Sequence, residues 1–310
     1  MAKRAAVRRP KIGLALGSGS ARGWSHIGVI EALVAADVVP DVVCGTSIGS
    51  LVGAAYVAGR LPKLKSVAEA LTRREMMGFL DVRLTAGGLV DGNRIVAMLR
   101  DGGIDAPIES LKTPYAAVAT DLENGREVWL REGPILDAVR ASISIPGIFS
   151  PVRAGGRWLA DGGMVNPIPV SVCRALGAEV IIAVNINSAV VQPFPAAEEI
   201  PAATGKPMSA EFFQGLAKQI PAAIRDQAAA IAPALFPARG VPGYFDVLFN
   251  AINIMQEQIT RSRLAGDPPH VLLSPRLNAI SLFDYHRAGE AIAEGRTCVG
   301  HALADIRRFI

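Results

Sequence analysis

The chain has 310 residues, half of them hydrophobic and 19% charged, a composition that excludes general disorder. Its apolar runs are interrupted well before about 18 residues, so we expect no transmembrane helix. Residues 1–11 carry five basic side chains and no acidic one, and the rest is close to neutral, which argues against nucleic acid as a partner. Because the three cysteines fit neither a zinc site nor a disulfide framework, we expect a cytoplasmic protein. From the basic tail we expect peripheral contact with anionic membranes.

Short apolar runs alternate with helical patterns from residue 11 to about residue 190. The apolar runs predict strands at Lys11–Leu16, Val38–Cys44, Tyr115–Ala119, Val128–Leu130 and Val180–Val184. The intervening patterns predict helices at Ile27–Ala36, Ile48–Gly59, Val67–Arg74, Ile95–Arg100 and Ile135–Ala141. Strands that alternate with helices indicate an α/β fold, with a largely parallel sheet covered on both sides.

The remainder of the chain has a different character. Residues 190–250 hold eight of the 21 prolines and six of the ten phenylalanines, which predicts short helices joined by irregular turns. Such a zone either completes the core as a cap or presents an apolar patch. Residues 244–310 predict a long helix, a strand at Val271–Leu273 and a last helix that Ser281 opens, with Asp284 completing a capping box.

A glycine-rich loop follows the first predicted strand and reads Gly17-Ser18-Gly19-Ser20-Ala21-Arg22-Gly23. A dinucleotide fingerprint would need glycine at position 22, and a P-loop would end in Gly-Lys-Ser or Gly-Lys-Thr. Neither is present, so the loop predicts a general cradle for an anion or an oxyanion, built from backbone N–H groups at a helix N-terminus. A simple tight turn is the alternative.

The next candidate is a G-x-S-x-G pattern, Gly45-Thr46-Ser47-Ile48-Gly49, between a predicted strand and a predicted helix. This context is typical of a nucleophile elbow, a strained turn that exposes the serine hydroxyl at a helix N-terminus. The glycines at positions 45 and 49 avoid clashes with the neighbouring strand and helix. The pattern therefore predicts Ser47 as a nucleophile.

A serine nucleophile needs a base, and the sequence offers two kinds. A Ser–acid–His triad would use a histidine that follows the serine, and none has a convincing local setting: His270, His286 and His301. The other kind is Asp161, which follows the strand-like Arg157–Ala160 and precedes Gly162 and Gly163. Two glycines allow close approach to another loop, and burial in an apolar cleft would raise the pKa of Asp161 and strengthen it as a base.

The glycine loop, the serine elbow and the Asp-Gly-Gly motif occur in the order in which the patatin-like acyl hydrolases carry them. Residues 12–30 are very similar to the bacterial RssA branch of the neuropathy-target-esterase-like group. Residues 142–149 and 166–170, and more weakly 282–287, also match the style of the family. Over residues 12–186 the sequence therefore resembles a patatin-like phospholipase.

This resemblance implies a three-layer α/β/α sandwich with a central, mainly parallel sheet. It implies an acyl-hydrolase core at 12–186. The composition places a basic tail at 1–11 before this core, and at 187–310 a helical, proline- and phenylalanine-rich extension whose C-terminal strand and helix are expected to pack on the core. The implied activity is hydrolysis of a lipid ester such as a phospholipid, a lysophospholipid or another fatty-acyl ester. No metal or organic cofactor is implied.

The resemblance also implies a Ser–Asp dyad, with Ser47 as nucleophile and Asp161 as proton acceptor. The family's three oxyanion glycines correspond to positions 18–20, two of which are serine here, and Arg22 is expected to support the loop or attract an anion. The implied residues around the dyad are Gly17, Ser18, Gly19, Ser20, Arg22, Gly23, Gly45, Gly49, Gly162 and Gly163. A Ser–His–Asp esterase of α/β-hydrolase type and a non-catalytic, lipid-sensing or regulatory protein are the alternatives.

Overall fold

The computed structural model describes residues 8–72, 75, 82–85, 88–188 and 244–310. Its strands are β1 Ile12–Leu16, β2 Val42–Thr46, β3 Val82–Thr85, β4 Gly88–Val90, β5 Tyr115–Asp121, β6 Glu127–Leu130, β7 Val152–Ala154, β8 Arg157–Asp161, β9 Val180–Val184 and β10 Val271–Leu273. Its α-helices are α1 Ser25–Ala35, α2 Ile48–Val57, α3 Leu61–Ala70, α4 Asn93–Asp101, α5 Ile135–Ser142, α6 Val170–Ala175, α7 Tyr244–Gly266 and α8 Ala288–Ile306. Short 3-10 helices lie at Ser20–Trp24, Ile108–Ser110, Gly162–Met164 and Tyr285–Arg287.

One sheet dominates the fold. Its strand order is β10-β9-β1-β2-β5-β8-β7, and β6 also pairs with β5. The strands from β10 to β5 run parallel, whereas β6, β7 and β8 are antiparallel to their partners. The β3 and β4 strands form a separate antiparallel pair. The prediction of a mainly parallel sheet is therefore confirmed.

Side chains alternate between the two faces of this sheet. In β1, Leu14 and Leu16 pack into a core with buried residues of α1, α2, α5 and α8, whereas Ala15 packs with residues of α6 on the other face. The neighbouring strand β9 repeats the pattern, with Ile182 on the first face and Ile181 on the second. A period of two along strands covered on both sides gives the predicted three-layer α/β/α sandwich.

One edge of β5 is shared by two strands in succession. The parallel strand β2 pairs with β5 as far as Thr46, which faces Val118, and the antiparallel strand β8 takes over where Asp161 faces Ala119. The carboxyl ends of β2 and β8 therefore meet at neighbouring positions along β5. Because Ser47 directly follows β2, the sheet topology brings Ser47 beside Asp161.

Two predicted element starts near the first helices are wrong. Strand β2 begins at Val42 rather than Val38, because the Val38 N–H closes the end of α1 on the Leu33 carbonyl and Pro40 has no N–H to donate to a strand. Helix α3 begins earlier than predicted, because Pro62 fits the first turn of a helix, where its missing N–H is not needed.

The last helix begins at Ala288 and not at Ser281. Half of the predicted capping box does form, since Oδ2 of Asp284 accepts the Ser281 N–H over 2.9 Å. The chain then makes a 3-10 turn at Tyr285–Arg287 before α8 starts. The capping contact was therefore predicted correctly, but it stabilises a turn that precedes the helix.

Most of the predicted basic tail and of the proline- and phenylalanine-rich zone 190–250 lies outside the described residues. Two tail residues that are described form exposed ion pairs with the core: Arg8 with Glu179 over 2.6 Å, and Arg9 with Asp41 over 2.8 Å. None of the helices in the described ranges is long and apolar enough to cross a membrane.

Candidate active site

Ser47 lies in a sharp turn between β2 and α2, with φ = 56° and ψ = −126°. Such a conformation is strained for a residue with a side chain, and strain of this kind clusters at functional sites. A Cβ atom at Gly49 would lie 2.2 Å from the Leu16 carbonyl oxygen, and one at Gly45 would lie 2.4 Å from the Gly49 backbone. Only glycine fits at either position, which explains the G-x-S-x-G spacing.

The Ser47 hydroxyl donates to Oδ2 of Asp161 over 2.5 Å. The other carboxylate oxygen, Oδ1, accepts the N–H of Gly163 over 2.7 Å, in the 3-10 turn that Gly162 begins. Asp161 is only 3% exposed, and this burial raises its pKa to about 6 despite the two hydrogen bonds, which lower it. A carboxylate with this pKa is a stronger base than an exposed one and is still mainly ionised at neutral pH.

The segment 142–144 contacts both Ser47 and Asp161. Ser142 Oγ accepts the Ser47 N–H over 2.9 Å and donates to the Val118 carbonyl over 2.6 Å. The Ser144 carbonyl accepts the Asp161 N–H over 2.9 Å. These hydrogen bonds fix the backbones of the serine and the aspartate relative to each other.

The glycine loop shares a cleft with Ser47, and its N–H groups are not equivalent. Gly17 and Ser18 donate their N–H groups to carbonyls of β9 and of the segment before α6, over 3.2 and 2.9 Å. Within the described ranges, the N–H groups of Gly19 and Ser20 donate to no backbone carbonyl. Of the backbone N–H groups predicted as oxyanion donors, those of Gly17 and Ser18 are already used, and those of Gly19 and Ser20 remain as candidates.

Buried polar side chains support this loop. Arg22 donates to the Ile280 carbonyl over 2.8 Å and to Asn187 Oδ1 over 3.3 Å, and Asn187 Nδ2 donates to the Ser18 carbonyl over 3.0 Å. The Ser18 hydroxyl donates to Oε1 of Gln256 over 3.1 Å. Burial lowers the pKa of Arg22 to about 10, so the guanidinium keeps its charge at neutral pH.

The histidines occupy other positions. His26, three residues after Gly23, is fully buried and donates from Nε2 to the Gly17 carbonyl over 2.8 Å. Burial lowers its pKa to about 4. His270 accepts the Ile181 N–H through Nδ1 over 3.0 Å at the start of β10. Within the part of the chain that the structure describes, Asp161 is the one side chain that hydrogen bonds the Ser47 hydroxyl.

An apolar cavity of about 110 Å³ opens at Ser47. Its walls come from α2, α4 and the chain after α5, and they are formed by Ser20, Trp24, Ser47, Ile48, Leu51, Leu71, Ile95, Met98, Ile143, Ile145, Ile148, Phe149, Phe283 and Tyr285. A smaller and more polar cleft of about 40 Å³ meets the cavity at Ser47 and also reaches Asp161 and the glycine loop. The arrangement suits a ligand with an apolar chain on one side of the serine and a polar part on the other.

The sequence pattern of the patatin-like phospholipases matches residues 14–174, more than half of the chain. The chain belongs to the patatin-like phospholipase family. It is 36% identical to an uncharacterized NTE family protein of Mycobacterium tuberculosis, over 95% of this chain and 91% of that protein. It is 34% identical to patatin-like phospholipase domain-containing protein 6 of Homo sapiens, over 57% of this chain and 13% of that protein. These relatives assign it to the NTE-type branch of the family, as the sequence predicted.

A crystal structure of VipD from Legionella pneumophila aligns with 96% of this chain and 67% of that one, with a TM-score of 0.45 and 11% identity. Membership of the patatin-like phospholipases makes the chain a lipid acyl hydrolase by class.

Several residues that contact the site of this patatin-like chain escaped the sequence analysis. Asn187 lies just beyond β9, and a polar residue at the carboxyl end of a parallel strand is a signal that could have been used. Gln256 gave no local signal, and Tyr285 lies in a stretch that matched the family only weakly. The contacts of both with the site could not be predicted, because α7 and the turn before α8 reach the site only through tertiary packing. Ser142 is the first residue of a stretch that matched the family, but its bond to Ser47 could not be predicted.

Proposed function

We propose that this patatin-like chain hydrolyses the acyl esters of lipids through a dyad of Ser47 and Asp161. The observation that carries the proposal is the 2.5 Å hydrogen bond from the Ser47 hydroxyl to Asp161, at the point where a polar cleft joins an apolar cavity. A nucleophile bonded directly to a base needs no third residue to accept its proton. The substrate is a phospholipid, a lysophospholipid or another fatty-acyl ester.

In the first half-reaction, the Ser47 oxygen attacks the ester carbonyl carbon while its proton passes to Oδ2 of Asp161. The carbonyl electron pair moves to the oxygen, which becomes an oxyanion. When the tetrahedral intermediate collapses, the bond to the leaving oxygen breaks and Asp161 returns the proton to it. The products of this step are an alcohol and an acyl ester on Ser47.

Two features of the site favour this step. The N–H groups of Gly19 and Ser20 are available to the oxyanion, and one such donor is typically worth about 3 to 4 kcal/mol in the transition state. The apolar cavity takes the acyl chain and thereby holds the carbonyl carbon near the Ser47 oxygen.

In the second half-reaction, water enters the polar cleft and loses a proton to Asp161 as it attacks the acyl carbon. The collapse of this intermediate returns the proton to the Ser47 oxygen and releases a fatty acid. Asp161 is ionised again and the cycle can restart. The raised pKa of Asp161 suits a group that must accept and donate a proton in each half-reaction.

We also propose that the protein works in the cytoplasm and touches anionic membranes reversibly. The support is the basic tail at 1–11 together with the phenylalanine-rich zone 190–250, which would add apolar contact. Two basic residues of the tail, Arg8 and Arg9, pair with acidic residues of the core. Exposed pairs of this kind are worth about 0 to 1 kcal/mol, so an anionic surface could compete for both arginines.

A fluorophosphonate probe followed by peptide mass spectrometry tests the proposed nucleophile. The probe should modify Ser47 in the native chain and in a matched Ser110→Ala control, whose serine lies on the surface. It should modify nothing in Ser47→Ala. A folded native protein that resists the probe would favour the non-catalytic alternative. Probe reaction that disappears in His270→Gln or His286→Gln would favour the Ser–His–Asp alternative.

A further inference from the structure

Ser20 is an unusual residue for its place in the glycine loop. Its φ is 54°, in the left-handed region that favours glycine, and the resemblance to the family puts a glycine there. A residue with a side chain is strained in this region. Ser20 is only 8% exposed, so contact with solvent does not account for a polar side chain here.

The Ser20 hydroxyl has one partner, the phenol of Tyr285, whose oxygen lies 2.7 Å away. Each hydroxyl carries one proton, and the bond between them uses one of the two. Within the described residues neither oxygen has a further hydrogen-bond partner. One proton of the pair is thus left over for donation outside it.

This spare proton is placed beside the nucleophile. Ser20, Tyr285 and Ser47 all line the apolar cavity, and Ser20 also lines the polar cleft with Asp161. The ring of Trp24 meets the Tyr285 ring edge-on, with 6.1 Å between centroids, and so helps to orient the phenol. Burial raises the pKa of Tyr285, the hydrogen bond with Ser20 lowers it and the nearby charge of Asp161 raises it; the net effect is a raised pKa, so the phenol keeps its proton.

Chemistry decides which hydroxyl donates outward. A phenol is a stronger acid than an alkyl alcohol, and an alkyl oxygen is the better acceptor, so Tyr285 donates to Ser20 and the Ser20 proton is the spare one. The backbone N–H of Ser20 is also available, which puts two donors on the same residue of the oxyanion loop.

We propose that the Ser20 hydroxyl, polarised by Tyr285, is a side-chain donor to the ester oxygen as it becomes the oxyanion. The inference rests on the proposed function of Ser47 and Asp161. Ser20 is thus a catalytic residue, and Tyr285 a positioning residue that acts through it. Serine in place of glycine at position 20 strains the backbone, but it adds a hydrogen-bond donor for the transition state.

The decisive variant is Ser20→Gly. Glycine relaxes the backbone at φ = 54° and keeps the N–H, but it removes the hydroxyl. We expect kcat for p-nitrophenyl octanoate to fall about a hundredfold in both Ser20→Gly and Ser20→Ala, with KM nearly unchanged and no loss of thermal stability in Ser20→Gly. The Ki of a trifluoromethyl ketone with the same acyl chain should rise by the same factor as kcat/KM falls.

The role of Tyr285 is tested by Tyr285→Phe, alone and combined with Ser20→Ala. The single variant should lose about tenfold in kcat, because Ser20 still donates but is no longer polarised. The double variant should be no slower than Ser20→Ala by more than about twofold. Ser110→Ala and Tyr56→Phe, which remove hydroxyls away from the cavity, are the matched controls and should keep native kcat.

The proposal is overturned if Ser20→Gly keeps at least about half of the native kcat, which would mean that the backbone N–H alone serves the oxyanion. It is also overturned if the losses in Ser20→Ala and Tyr285→Phe multiply in the double variant. Failure of the proposed function has a different signature, since the native chain would then not hydrolyse the ester or Ser47→Ala would keep the activity.

Discussion

The hydroxyl of Ser47 lies 2.5 Å from Oδ2 of Asp161, although 114 residues separate the two in the chain. Their proximity is a property of the sheet. Strand β2 ends where Thr46 faces Val118, and β8 ends where Asp161 faces Ala119, on the same edge of β5. Because β2 runs parallel to β5 and β8 runs antiparallel to it, the two strands end next to each other, and Ser47 and Asp161 lie side by side.

The pH dependence of hydrolysis should follow the ionisation of Asp161, whose pKa is raised to about 6 by burial. A base must be ionised to accept a proton, so kcat/KM should rise with pH through about 6 and level off above 7. Measurement of p-nitrophenyl ester hydrolysis between pH 4.5 and 8 checks this. A profile that is flat down to pH 4.5 would mean that a normal carboxylate, or no carboxylate, is the base.

Asp161→Asn should stabilise the folded protein at neutral pH while it removes the base. Because the folded pKa of Asp161 is raised, the folded state binds the proton more tightly than the unfolded chain, and the buried charge that forms above about pH 6 lowers the stability of the folded state. We expect the free energy of unfolding to be about 2 to 3 kcal/mol higher in the variant at pH 8, and the gain to vanish near pH 4. Urea unfolding at both pH values measures it, and equal stability at pH 8 would contradict the raised pKa.

The cavity predicts control of acyl-chain length. Met98 on α4 lines the cavity but not the polar cleft, so Met98→Trp should fill space needed by the chain without touching the dyad. We expect kcat/KM to fall about tenfold or more for a p-nitrophenyl ester of a long acyl chain, with the acetate ester little affected. Met255→Trp, at an exposed position of α7, is the matched control. Equal losses for both esters in Met98→Trp would place the chain elsewhere.

Vesicle binding should depend on the charge of the tail. Removal of residues 2–7 deletes Lys3 and Arg4 and leaves the ion pairs of Arg8 and Arg9 intact, so sedimentation with phosphatidylglycerol vesicles should weaken by about tenfold. Glu179→Gln frees Arg8 and should strengthen it. Rising salt should weaken both effects. Equal sedimentation with neutral and anionic vesicles would remove the tail from the account.

The sequence carried the layered fold because periodicity is local. The apolar runs of β1, β9 and α2 predicted that these elements are buried, and the structure buries them. Buried strands that alternate with helices are what the prediction of a three-layer sandwich rested on. Boundaries were less predictable where a proline or a turn competes, as at Pro40 before β2. The last helix begins later than predicted because the 3-10 turn at Tyr285–Arg287 precedes it. Tyr285 in this turn contacts Ser20 of the glycine loop, and a tertiary contact of this kind has no local sequence signal.

The candidate site was only partly within reach of the sequence. Gly45 and Gly49 predict the strained turn, because no other residue fits at these two positions. The division of the glycine loop into bonded and available N–H groups depends on β9 and on the segment before α6, which are more than 140 residues away. The partner of Ser20 likewise comes from 265 residues further along the chain. Such pairings are set by packing, which no local pattern encodes.

The steady-state rate of p-nitrophenyl ester hydrolysis by Ser47→Ala and Asp161→Asn, each shown to be folded by circular dichroism, tests the account most directly. Both variants should lose at least about a thousandfold in kcat, because one lacks the nucleophile and the other the base. The double variant should be no slower than Ser47→Ala, since the two residues act as a unit. Retention of more than about a tenth of the native rate by either single variant would contradict the dyad.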